Sequence, residues 1–215
     1  MPDFQSLAFL SKATEDLLCP PFEWCQVAAG AVTLLDASSY GGTQGGTYLV
    51  PGFTIAKYPV TNAQYQGFLE HPNGFSDHQW WEYSSEARQW RKDRPNPMAT
   101  AFVGPDLPRT RVSWFDAMAF CCWLSVQLES RAHAQHKRSP GSPDPEPCHV
   151  RLPTEQEWQR AALGDTGQPY PWGGELTETR GNYAGHVGHP SGVEKYAEGK
   201  RILQIAQQDI QQPRE

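Results

Sequence analysis

Proline and glycine interrupt this chain at short intervals, with 19 of each in 215 residues, well above the roughly one residue in eight of an ordinary domain. A proline removes a backbone donor and fixes φ, and a glycine inside a helix costs conformational entropy. A bundle of long helices is therefore excluded, and a loop-rich fold of short elements is expected. Eight tryptophans, eight tyrosines and nine phenylalanines supply large apolar area for a core. Global disorder needs few aromatics and is excluded as well. The length fits one domain, or one plus a fragment.

The formal charge of −6 argues against a general nucleic-acid binder, which needs a basic face for phosphates. The basic stretch Arg88 to Arg94 reads as a solvated surface segment rather than a binding patch. No window reaches the ~18 apolar residues of a membrane span. Residues 1–18 carry Asp3, Glu15 and Asp16 and do not form a signal peptide, which wants a basic start and an apolar run. Five cysteines (Cys19, Cys25, Cys121, Cys122, Cys148) without repeated spacing fit a reduced, cytoplasmic protein.

Residues 1–18 read as a short helix that Cys19-Pro20-Pro21 ends, because proline disfavours helix at the residue before it. Phe22 to Leu35 and Thr47 to Tyr58 read as extended, joined as a β-hairpin through a Gly-rich turn that lacks the Lys-Ser/Thr of a phosphate loop. Three helix starts use one device. Thr61/Gln64, Ser113/Asp116 and Thr154/Glu157 each pair an N-cap hydroxyl with an acid or amide three residues on. Asp116 is the weakest partner, being shorter than Glu or Gln. Gly164 reads as an αL cap of the third helix. The interval from His71 to Arg111 reads as ordered loop, since Trp80, Trp81 and Trp90 are too large to leave in water. Ser139 to Cys148, with four prolines, reads as an exposed insertion.

Few residues announce chemistry. Cys121 and Cys122 are helix neighbours about 100° apart, so only one can face the core squarely. They read as ordinary buried thiols, with Cys121 on the apolar stripe. Cys148-His149 lacks the second Cys-x-x-Cys of a zinc site. His133/His136 and His186/His189 have helical spacing but no third ligand beside them. Glu155 and Glu157 flank a helix N-terminus, where carboxylates favour the dipole. Neither a nucleophile elbow nor a dinucleotide fingerprint occurs.

The order of four segments is more informative: Phe53 to Phe68, Arg111 to Leu124, Arg151-Leu-Pro-Thr-Glu-Gln-Glu-Trp158, and Pro169-Tyr-Pro-Trp-Gly173. The series closely resembles the formylglycine-generating enzyme family, also called sulfatase-modifying factors, over roughly Phe22 to Tyr183. The resemblance implies an α+β, C-type-lectin-like fold, loop-rich, with short antiparallel strands and about three helices. It divides the chain into a helical lead-in (1–21), the family domain (22–190) and a divergent tail (191–215). It implies a cap formed by Thr154 and Glu157, a domain centre formed by Leu152, Trp158 and Trp172, and core positions at Val112 and Trp114. Asn182 and Tyr183 match the start of the family's calcium site, although calcium takes six to eight oxygens and the later ligands are not recognisable.

After Tyr183 the family's C-terminal segments do not appear, and no cysteine follows Cys148. The copper-binding, oxygen-activating cysteine pair of the family is therefore not carried over to any residue, and the chain reads as an incomplete domain truncated at its C-terminus. The expectation is a non-catalytic module that binds a protein or small-molecule ligand, with no nucleic acid and no membrane. The alternative is a copper- and oxygen-dependent oxidase converting a sulfatase cysteine to formylglycine, or a remnant of one.

Overall fold

The structure, a computed structural model, describes residues 18, 21–40, 42–138, 149–164, 170, 171 and 173. The expected lead-in helix, apart from Leu18, and the 191–215 tail lie outside them. The described chain is α+β. Its strands are β1 (Trp24–Val27), β2 (Gly30–Leu34), β3 (Gly46–Val50) and β4 (Phe53–Ala56). Its helices are α1 (Asn62–Glu70), α2 (Ser85–Asp93), α3 (Trp114–Arg138) and α4 (Glu155–Leu163). Among the described residues no helix is long and apolar enough to cross a membrane. The described residues form two compact units, one built on residues 60–152 with Leu18 and Phe22, the other on 23–59 and 153–164.

In the strand unit, β1 pairs with β4 and β2 with β3, all antiparallel. One register runs through both pairings, from Trp24 opposite Ala56 to Leu34 opposite Gly46. The two pairs are thus one long hairpin, as the alternation in the sequence suggests, interrupted where Ala28-Ala29 faces Pro51-Gly52. Pro51 has no N–H to give a ladder. Across the strands, Thr33 and Thr47 share a hydroxyl bond at 3.0 Å, and Lys57 pairs with Glu23 at 2.7 Å. Val32, Leu34 and Val50 form the buried face, while Leu49 and Thr33 alternate outward, as a period of two dictates.

α4 packs on this hairpin. Thr154 Oγ1 accepts from the Glu157 N–H at 3.2 Å, and Glu157 Oε2 accepts from the Thr154 N–H at 2.9 Å. Buried Arg160 fills the gap left by the broken ladder: it donates to the carbonyls of Ala28 (3.3 Å), Ala29 (3.3 Å) and Ala31 (3.4 Å). A Cβ on Gly30 would lie 2.2 Å from that guanidinium, so a side chain there would force Arg160 to shift. Gly164 is not the expected αL cap. Its φ of 61° and ψ of −138° turn its carbonyl to accept from Arg160 Nη1 at 2.7 Å, in a region open only to glycine.

The helical unit centres on Phe68, fully buried in α1, whose ring meets Tyr65, Phe75, Trp81, Phe120 and Trp123 at 5.2–6.3 Å. The stretch expected to be loop instead contains a 3-10 turn at His78–Trp81 and the helix α2. Trp80 and Trp81 are buried, as their size requires. Ser84 caps α2 by accepting from the Ala87 N–H at 3.1 Å. The helix lacks an apolar stripe because its buried face is Ala87 and Arg91. Arg91 is the exception to the reading of 88–94 as solvated surface, since Arg88, Gln89, Lys92, Asp93 and Arg94 are exposed. Its guanidinium lies over Phe75 (4.3 Å) and Trp81 (4.8 Å) and donates to the carbonyls of Phe75 (3.0 Å), Arg94 (3.2 Å) and Pro95.

Candidate functional site

The chemistry-bearing side chains of the helical unit gather along the first turns of α3. Ser113 begins the helix by accepting from the Asp116 N–H at 3.1 Å. The Asp116 side chain does not return to the cap's backbone and instead accepts a hydrogen bond from the Ser113 hydroxyl, Oγ to Oδ2 at 2.7 Å. Two turns on come the adjacent thiols. Cys121 is buried, and burial, with a smaller contribution from Cys122, pushes its thiol up to about 12. Cys122 is half-buried, and burial likewise holds it above the ordinary thiol range. Both stay protonated at neutral pH. Ser125 fixes the next turn, accepting from the Val150 N–H at 2.8 Å and donating to the Cys121 carbonyl at 2.9 Å.

Tyr65 and Tyr83 flank this stretch. Burial raises the pKa of both phenols, and the charge of Asp116 adds to the rise in each. Tyr83 donates its hydroxyl to the Phe115 carbonyl at 3.2 Å. Its ring stands at 79° to Trp114, centroids 6.1 Å apart, and each residue is 37% exposed. Trp114 is thus not the core residue expected beside Val112, which is buried; as the first residue of α3 it points past the packed face. Phe115 backs the pair and meets Trp90 at 5.3 Å, and Arg94 covers the Trp90 ring at 3.8 Å.

Neither thiol of α3 is a thiolate at neutral pH, and the Tyr83–Trp114 pair is exposed at its N-terminus. The sequence matches the Sulfatase-modifying factor enzyme 1-like domain over residues 23–205. This chain belongs to the sulfatase-modifying factor family. It is 30% identical over 168 residues to the Hercynine oxygenase of Mycobacterium tuberculosis, a match covering 70% of this chain and 34% of that protein. It is 29% identical over 159 residues to the Inactive C-alpha-formylglycine-generating enzyme 2 of Mus musculus, covering 62% and 44%. The Formylglycine-generating enzyme of Thermomonospora curvata is 27% identical over 151 residues, covering 58% and 42%. The chain spans about a third of the length of the hercynine oxygenases it matches.

Within this family domain the structure separates the residues named from the sequence. Thr154, Glu157 and Trp158 belong to α4 in the strand unit; the first two form the cap, and Trp158 is half-buried rather than central. Trp172, Asn182 and Tyr183 lie outside the described residues, as do Cys19, Cys148, His186 and His189. Cys25 sits in β1 opposite Ile55. His133 bonds through Nδ1 to the Glu129 carbonyl at 2.8 Å. Among the described residues no three His, Cys, Asp or Glu side chains converge as a metal site.

Copper, which the family resemblance brings with it, does not fit the described thiols. Cu(I) is selected by thiolates, and a reactive cysteine lies in an electropositive, partly exposed place that lowers its pKa. Burial raises both Cys121 and Cys122 instead, and their positions on one helix point them about 100° apart. The residues the sequence did not flag are the buried arginines Arg91, Arg109 and Arg160. Arg109 lies over Tyr65 at 4.9 Å and donates to the Met98 carbonyl at 2.5 Å. Charge alone suggests surface at such positions. The aromatic residues Phe75 and Trp81, sixteen and ten positions earlier, were the available signal for Arg91, since ring faces attract guanidinium.

Proposed function

We propose that this sulfatase-modifying factor domain is a non-catalytic binding module of C-type-lectin-like fold that takes a protein or small-molecule ligand in the cytoplasm. The observation that carries this reading is the state of the adjacent thiols. Cys121 is 6% exposed with its pKa raised to about 12, where thiol chemistry needs a lowered one. A relative in this family is itself named as inactive, so membership alone does not bring turnover. Cys25, Cys121 and Cys122 are free thiols, which suits a reducing compartment.

The named oxygenase and formylglycine-generating relatives favour a second reading, an oxygen-dependent oxidase acting on a cysteine or another sulfur substrate. One experiment separates the two. Purified protein is incubated with Cu(I), reductant, oxygen and a Cys-x-Pro-x-Arg peptide, and the peptide is followed by mass spectrometry. The binding-module reading expects an unchanged peptide. Thiol-to-aldehyde conversion that disappears in the Cys121→Ala, Cys122→Ala double variant would overturn it and place the reaction on α3.

A further inference from the structure

We propose that the Tyr83–Trp114 corner is a docking surface for an acidic, proline-rich strand, and that its occupant is residues 140–147 of a second copy of this chain. The corner is built without being covered. Trp114 is the first residue of α3 and Tyr83 immediately precedes the cap of α2. Both rings are held from behind, Trp114 by Phe115 at 5.4 Å and Tyr83 by its hydroxyl bond to the Phe115 carbonyl. Perpendicular Tyr and Trp rings, each about a third exposed, offer the kind of apolar notch that takes a proline ring.

Three residues before Trp114 in the chain stands a cation. Arg111 is exposed and holds φ at 56°, the left-handed region that side-chain-bearing residues occupy only where the surroundings impose it. Among the described residues no carboxylate pairs with it, whereas Arg88 is paired with Glu82 at 3.3 Å and Arg94 lies on Trp90. An occupant with carboxylates close to its prolines complements both features.

The chain carries one such stretch, Pro140-Gly-Ser-Pro-Asp-Pro-Glu-Pro147. It has the Pro-x-x-Pro spacing that aromatic grooves read, and it sets Asp144 and Glu146 among further prolines. Its fixed φ angles reduce the entropy lost on docking. The protein's own copy cannot place Pro140 or Pro143 on the corner. Trp114 and Arg138 are the two ends of α3, roughly 36 Å apart at 1.5 Å per residue. The five residues from Arg138 to Pro143 span at most about 18 Å. Pro140 and Pro143 therefore reach the corner only from another molecule. This surface gives the binding-module reading a partner but does not stand or fall with it, because turnover on a thiol peptide would overturn that reading and leave the corner intact.

The test uses the full chain and a synthetic peptide of its residues 139–147. Titration followed by tryptophan fluorescence should show saturable binding that weakens with salt. Arg111→Ala and Trp114→Leu should each weaken it about fivefold, within the range of single aromatic or cation contacts. Replacing Pro140 and Pro143 by glycine in the peptide should abolish binding without touching the protein's fold. Sedimentation should show concentration-dependent dimers that excess peptide dissociates. A peptide that does not bind, or binds equally well after Trp114→Leu or after loss of its prolines, overturns the proposal. Binding of the peptide by a chain that stays monomeric at every concentration overturns the second copy as occupant.

Discussion

A guanidinium leaves water without great cost only where its donors find acceptors, and two arginines of this chain find them in backbone carbonyls. Arg160 serves three alanine carbonyls of the hairpin and that of Gly164; Arg91 serves three carbonyls while lying on two rings. Lysine has one charged nitrogen and no planar fork. Arg160→Lys should therefore lower stability by about 2–3 kcal/mol, the scale of leaving buried polar groups unpaired, read as a shift of the urea midpoint. The buried thiol makes a second, pH-dependent prediction. The pKa of Cys121 rises from 9.0 unfolded to about 12 folded, so between those values the native state holds a proton that the unfolded state has lost. Stability must then fall as pH rises through that window. The drop in urea midpoint from about pH 8 to about pH 10.5 should be smaller in Cys121→Ala than in the parent. An equal drop in both would show that Cys121 is not buried as described.

At the scale of elements, helix starts depend on groups within four residues of one another. Thr154→Ala and Thr61→Ala should each cost about 1 kcal/mol by removing an N-cap acceptor. Ser113→Ala should cost a similar amount, since Ser113 caps α3 although Asp116 does not complete the box. Chemical denaturation of the three variants checks this, and a harmless Thr61→Ala would contradict the box seen between Thr61 and Gln64. These starts were legible because donor, acceptor and helix period all lie in one short window. The helix α2 was not. Its buried positions are an alanine and an arginine, so its periodicity carries no apolar stripe, and its identity rests on rings contributed by residues 75 and 81. The aromatic corner was half legible: tryptophan and tyrosine were visible, but the exposure of Trp114 was not, because helix position alone does not say which neighbours cover a ring.

At the scale of the molecule, the two units differ in what holds them. The helical unit surrounds Phe68 with buried rings, while among the described residues the strand unit holds one hairpin and one short helix. Two-stranded ribbons are marginal alone, and protection follows local packing. Amide exchange should therefore be slower across Phe120–Leu128 than across Gly46–Ala56; faster exchange in the helix would count against the ring-lined core. Sequence by itself determined the family, the α+β class, the hairpin's alternation, the capped helix starts and Cys121's place on the apolar face, because each depends on residue order or on contacts a few positions long. Tertiary structure alone decided where the ladder breaks, how closely the Arg160 guanidinium approaches Gly30, and which arginines go inside. Arg160 meets carbonyls about 130 positions earlier in the chain, and a guanidinium is buried or solvated according to what surrounds it, which no local pattern encodes.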